Sequence, residues 1–204
     1  MTSAAIAFPS GFASSVLPGN GEDVARQAER DAIAACQRGE REAFDLLVAR
    51  YQRPIYRLCF RYVNNHEDAN DLAQESFLKA WRGISRFRGD SAFSTWLYRI
   101  AVNTCLNFRS GRKPEAHELD ESLVDPRPLA LAEVERDSQA SRVREAVSRL
   151  PEKQRATLIL KVFHELTHEE VAGILGSSVG TVKANLFHAL ANLRRAIGRE
   201  AEGR

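Results

Sequence analysis

Between residues 114 and 138 the helical periodicity that runs through the rest of the chain stops, and that interruption limits the possible folds. The segment holds Pro114, Pro126 and Pro128, with eight acidic residues against two basic ones. Proline removes a backbone donor and pushes the preceding residue out of the helical region, while crowded carboxylates repel. Little periodic hydrophobicity accompanies them, so the segment reads as a flexible acidic linker. Fully extended it spans roughly 80 Å at ~3.3 Å per residue. The 204 residues therefore divide into two small helical units and a tether, an all-α chain.

The periodicity itself is plain on both sides. Phe44, Leu47, Val48, Tyr51, Ile55, Leu58, Cys59 and Tyr62 repeat at helical spacing, with a bend or interruption expected at Pro54. Asn64-Asn65-His66 marks a break, a second helix covers about residues 67–82, and residues 86–91 form a loop. On a helix over residues 93–108, Phe93, Leu97, Ile100, Ala101 and Phe108 make one stripe, as a buried face requires. Thr95, Trp96, Arg99 and Asn103 make another. A face that combines an indole, a guanidinium, an amide and a hydroxyl can stack bases, neutralise phosphate and bond base edges. It can equally be an ordinary amphipathic surface with an interfacial tryptophan. Gly111 and Pro114 end this helix.

Beyond the linker, a helix over about residues 138–149 turns Val143, Val147 and Leu150 inward, and Pro151 suits the first position of the next. Thr167-His168-Glu169-Glu170 has capping-box spacing. The short helix it starts reaches about Leu175, Gly176-Ser177-Ser178 gives a turn, and Val182, Leu186, Ala189, Leu193 and Ile197 face inward on a longer helix. Helix, short glycine-containing turn, helix is the helix-turn-helix pattern. Thr181, Lys183, Ala184, Phe187 and His188 point away from the apolar stripe, where a recognition helix reaches base edges. Phe187 can meet a thymine methyl or pack on the preceding helix.

His164-Glu165-Leu166-Thr167-His168 matches the zinc-protease pattern HExxH, which works only if both histidines share one continuous helix. A helix starting at Thr167 separates them, and no third ligand is apparent. We find no nucleophile–histidine constellation, phosphate-binding glycine loop or calcium-loop spacing, and expect no catalytic residue, metal or cofactor. Cys36, Cys59 and Cys105 are odd in number, lack CxxC spacing and sit among apolar neighbours, as buried free thiols in a reducing compartment do. No stretch approaches the ~18 apolar residues of a membrane span, and the first residues lack the basic start and apolar centre of a signal peptide.

Net charge of +2 conceals a strong partition. Residues 82–113 carry seven basic residues against one acidic, and residues 139–204 carry eleven against seven, either side of the acidic segment. Two surfaces that face nucleic acid, joined by an acidic tether, produce this arrangement.

Three segments in order resemble bacterial sigma-70-family transcription initiation factors of the small extracytoplasmic-function type. They are the run from Asp68 to Trp81, the run from Phe87 to Asn103, and Leu150-Pro151-Glu152-Lys153-Gln154-Arg155 with the helix-turn-helix after it. The resemblance covers about residues 29–200. It implies region 2 at 29–112, a linker at 113–137 and region 4 at 138–200, while the Ala, Ser, Gly and Pro content of the first residues reads as a disordered tail at 1–28. It implies core RNA polymerase, promoter DNA and an anti-sigma protein as partners, in the cytoplasm. Asp71, Gln74 and Glu75 would meet core polymerase. Phe87 and Asn103 would shape a pocket for a flipped −10 base, Trp96 would support strand separation, and Arg99 would hold phosphate. Phe87 can instead close the domain core. Thr181, Lys183, Ala184, Phe187 and His188 would read −35 duplex. Ala184 and His188 depart from the family's usual serine and arginine, so its usual −35 preference is not carried over.

Two other readings predict different behaviour. A dimeric helix-turn-helix regulator would bind operators without polymerase, and a zinc hydrolase would hold stoichiometric metal.

Overall fold

A computed structural model of the chain describes residues 21–109, 111 and 138–202. The described residues are helical throughout, without strands: α1 (Gly21–Gln37), α2 (Glu42–Val63), α3 (His66–Gly83), α4 (Phe93–Arg109), α5 (Ser138–Ser148), α6 (Glu152–Leu158), α7 (His168–Leu175) and α8 (Val179–Glu202). A 3-10 turn, Ile84–Arg86, follows α3, and a wide π-turn, Ile159–Phe163, follows α6. The linker and the first twenty residues lie outside the described residues. Helix α1 begins at Gly21, so residues 21–28, expected in the tail, form its first two turns.

Helices α1 to α4 make the first unit. Helix α2 runs through Pro54 without ending. Proline there removes one backbone bond, but Ile55, Leu58, Cys59 and Tyr62 beyond it are all buried, and that burial keeps the helix continuous. The two asparagines at its end have separate tasks. Asn64 closes α2 in the left-handed conformation at φ 55°, which asparagine tolerates better than most residues. Asn65 starts α3, its side-chain oxygen accepting from the Asp68 amide at 3.1 Å. Helix α1 is pinned to α2 by a polar knot in which the Tyr51 hydroxyl donates to Glu29 Oε2 at 2.6 Å and Arg50 Nε lies 3.1 Å from the same oxygen. Burial first, then the Glu29 carboxylate, raise the Tyr51 hydroxyl far above its ordinary pKa. The three cysteines are free and buried, and Cys105 and Cys59 sulfurs lie 3.8 Å apart between α4 and α2.

The second unit is organised around Arg155, which is 2% exposed. Its guanidinium donates to the carbonyls of Val147 at 3.1 Å, Leu150 at 2.8 Å and Ser148. Those carbonyls end α5 or lie just beyond it and have no further helical turn to accept from, so one cation closes the helix and fixes its angle to α6. The capping box at Thr167 forms as its spacing requires, with the Thr167 side chain accepting from the Glu170 amide and Glu170 returning the bond.

The units do not hang apart on the linker; they share one continuous core. Tyr98 of α4 and His164 after the π-turn share a hydrogen bond of 3.1 Å. The Arg61 guanidinium lies 3.7 Å from the centre of the Phe163 ring. Arg99 donates to the Gly173 carbonyl of α7 at 2.5 Å. Burial, with the Arg61 and Arg57 cations opposite, lowers the His164 pKa from the ordinary 6.5 to about 4, and burial pushes the Tyr98 hydroxyl up to about 12.

Two outcomes are expected. Arg155→Ala strands three carbonyls and empties a buried volume, and costs ~3 kcal/mol in urea unfolding followed by circular dichroism. His164 is held neutral, so its contribution is complete above pH 6.5 and lost as pH falls towards about 4, because the separated or unfolded chain takes the proton first. Melting temperature falls across that window, and His164→Gln removes that part of the pH dependence.

Candidate nucleic-acid interface

Helix α4 is amphipathic in a way that fixes the geometry of the candidate site. Phe93, Leu97, Ala101, Val102 and Cys105 are buried against α2 and α3. Two sequence expectations are corrected. Phe108, placed on the apolar stripe, is 48% exposed, because the core ends a turn earlier at Cys105. Thr95, placed on the polar stripe, is buried, its methyl lying 4.0 Å from where a side chain at Gly173 would begin. Arg99 and Asn103 are exposed and Trp96 is half-buried. At spacings of three and four residues these lie one above another on a single face.

The aromatic part of the site is built jointly by α4 and the loop before it. Phe87, Phe93 and Trp96 form a triangle with ring centres 5.2, 5.5 and 5.7 Å apart. Trp96 lies over the end of α3, where a methyl group on Gly83 would sit 3.2 Å from the indole. A larger residue there would oblige the indole to shift by a few tenths of an ångström. Gln37, which sequence reasoning missed, donates from its side-chain nitrogen to the carbonyls of Ile84 at 3.2 Å and Phe87 at 2.8 Å. It holds the loop that presents Phe87. The contact joins residues about fifty positions apart, and no local pattern could have signalled it. Phe87 is half-buried, so it closes the aromatic cluster and still shows an edge to solvent.

The proposed polymerase-facing residues share α3. Asp71 is exposed, Gln74 and Glu75 are half-buried, and Glu75 pairs with Lys79 at 2.6 Å. Lys79 in turn donates to the Thr104 hydroxyl at 3.3 Å, tying this face to α4.

In the second unit, Thr181, Lys183, Ala184, Phe187 and His188 are all exposed on α8. Phe187 is 70% exposed, so it does not pack on the preceding helix; its ring meets His188 edge-on at 5.6 Å. Gly176 ends α7 in the left-handed conformation at φ 58°. The Ser178 side chain then caps α8, accepting from the Thr181 amide at 3.1 Å. The HExxH match is broken in space: Glu165 is left-handed at φ 54°, and His168 opens a new helix after His164 has ended the previous turn. Among the described residues no group of three histidine, cysteine or acidic side chains is arranged to hold a metal, and no helix is long and apolar enough to cross a membrane.

Comparison with known proteins agrees with this arrangement. Residues 47–114 match the family model of sigma-70 region 2, and residues 140–193 match that of sigma-70 region 4. The chain is 38% identical over 184 residues to the RNA polymerase sigma-H factor of Pseudomonas aeruginosa, covering 84% of this chain and 95% of that one. It is 39% identical over 172 residues to the ECF RNA polymerase sigma-E factor of Escherichia coli, covering 77% and 87%. Among solved structures, CnrH in complex with the cytosolic domain of CnrY shares the fold, with a TM-score of 0.65 at 24% identity over 84% of this chain and 98% of that one. The sigma factor RpoE in complex with the anti-sigma factor NepR from Bartonella quintana gives 0.58 at 20% over 76% and 96%. With both regions present in order around an acidic linker, the chain belongs to the sigma-70 family of RNA polymerase sigma factors, in its extracytoplasmic-function class.

Proposed function

We propose that the chain joins core RNA polymerase and directs initiation by trapping the unpaired −10 strand on α4 while α8 reads the −35 duplex. The observation that carries this reading is the single face of α4 on which Trp96, Arg99 and Asn103 follow one another beside Phe87. Taking a base out of the stack costs a few kcal/mol. Stacking on an aromatic ring returns ~1–3 kcal/mol per base. An exposed amide one turn from a guanidinium supplies a hydrogen bond to a base edge and a partner for phosphate. The exposed edge of Phe87 and the Asn103 side chain bound the pocket, the half-buried indole supports the end of the duplex, and Arg99 holds the backbone.

Asp71, Gln74 and Glu75 form the docking face for core polymerase on α3. On α8, Lys183 neutralises phosphate, while Thr181, Ala184, Phe187 and His188 face base edges. With alanine at 184 and histidine at 188, the base preference follows from an apolar contact and an imidazole in place of a forked guanidinium. The acidic linker suits a basic channel otherwise filled by nucleic acid. The chain contributes recognition and strand capture in the cytoplasm and leaves all bond chemistry to the polymerase. A protein of anti-sigma type, as NepR is to RpoE, is a further partner. A regulator acting without polymerase has no use for the strand-trapping face of α4.

Reconstitution with bacterial core polymerase on a library of duplexes randomised upstream of a reporter tests the reading. Transcripts are expected to share start sites set by an enriched −35 and −10 pair; starts scattered as with core alone contradict it. On the enriched promoter, Asn103→Ala lowers permanganate-reactive open complex by roughly tenfold while leaving duplex binding nearly unchanged. Lys183→Ala weakens duplex binding at every sequence and reduces the salt slope by about one.

A further inference from the structure

Helix α1 belongs to the first unit but ends at Gln37, ahead of the part of the chain that matches sigma-70 region 2, which begins at residue 47. Its last turns are anchored by Ala32, Ala35 and Cys36, all buried. Beyond them the chain turns back at Gly39, left-handed at φ 94°, and the Glu40 amide donates to the Ala35 carbonyl at 3.1 Å. That ending leaves Gln37 as the final helical residue, within reach of the 3-10 turn Ile84–Arg86.

One side-chain nitrogen of Gln37 serves both ends of that turn. An amide nitrogen carries two protons, enough for the Ile84 carbonyl at 3.2 Å and the Phe87 carbonyl at 2.8 Å. The turn also closes on itself, the Phe87 amide donating to Ile84 at 3.0 Å. Phe87 is therefore held twice over. Phe93 and Trp96 fix its ring, and α1 fixes its backbone. Ring contacts alone leave the peptide after Phe87 free to swing, and with it the chain that runs on to α4. Gln37 is exposed, and a neutral hydrogen bond in contact with water adds little net stability, because water competes for both partners. What the pair of bonds supplies is position.

On the assignment of Phe87 and Asn103 to the captured −10 base, we infer that Gln37 is a positioning residue for base selection, holding from α1 the backbone of the loop that presents Phe87. Selection is a difference between bases, so it needs a pocket that does not adapt to the wrong one. Stacking on an aromatic ring makes no such distinction, since every base has a flat face. Release of the loop therefore leaves capture in place and removes discrimination. The donor character of the side chain decides the effect, because both of its partners are carbonyl oxygens. Glutamate presents acceptors only and leucine presents neither, while lysine presents three donors on a longer stem.

Reconstituted holoenzyme transcribing a library randomised across the −35 and −10 elements tests this, with transcripts sequenced to give the base preference at each position. In Gln37→Leu and Gln37→Glu the ratio of preferred to disfavoured bases at the captured −10 position is expected to fall roughly tenfold, the scale of one lost base contact. Gln37→Lys is expected to keep it. The −35 preference should stay at the parental value in all three, and the melting temperature should move by no more than a few degrees. An unchanged −10 preference in Gln37→Leu, a Gln37→Lys profile as flat as that of Gln37→Leu, or joint loss of the −35 and −10 preferences overturns the positioning role. Phe87→Ala separates that result from failure of the −10 assignment. If it flattens the −10 preference while Gln37→Leu does not, the role of Gln37 alone falls. If Phe87→Ala leaves the preference intact, the assignment of Phe87 falls and the role of Gln37 with it.

Discussion

Everything in this molecule depends on the division of α4 between two environments. One side, Phe93, Leu97, Ala101, Val102 and Cys105, supplies the wall against which α2 and α3 pack. The burial of that side fixes the rotation of the helix about its axis, and so fixes where Trp96, Arg99 and Asn103 emerge. The strand capture proposed for this face needs side chains held in place before the strand arrives, because ordering them afterwards costs affinity. Packing of the opposite side, the aromatic triangle with Phe87 and the Gln37 bonds to the preceding loop provide that order.

The same rotation explains why region 4 can rest on region 2. Where α4 carries an arginine and a small threonine, α7 carries a glycine whose carbonyl accepts from that arginine, and the two surfaces fit. Arg155 has the corresponding role in the second unit. It sets α5 against α6 and lies with its guanidinium carbon 5.8 Å from the centre of the Tyr62 ring of the first unit. The seam thus grows from elements each unit needs for its own stability. Linkage by the tether keeps the second unit at high effective concentration near the first, whether the partner is α4 or promoter DNA.

Much of this was legible in the sequence because it is local. The stripes of α2 and α4, the break at Asn64 and Asn65, the capping box at Thr167 and the glycine turn at Gly176 all follow from spacing and from which residues satisfy helix ends. The outward set on α8 was legible for the same reason. Features that arise from contact between distant segments were not. The end of the core before Phe108, the burial of Thr95 under α7, the Gln37 clamp and the Tyr98–His164 bond leave no periodic trace. The π-turn at Ile159–Phe163 was hidden by an apolar run that a regular helix would satisfy equally well. His164, first met as half of a false metal motif, is instead a neutral imidazole in the seam.

The proposed capture of the unpaired −10 strand by one face of α4 is open to a direct measurement. Ultraviolet cross-linking from 5-bromouracil placed in the −10 strand of an open complex with core polymerase, mapped by mass spectrometry, reports which side chains the strand meets. Adducts are expected on α4 and the loop before it, at Trp96 or Phe87, which lie together in the aromatic cluster. Adducts confined to other helices would contradict the account.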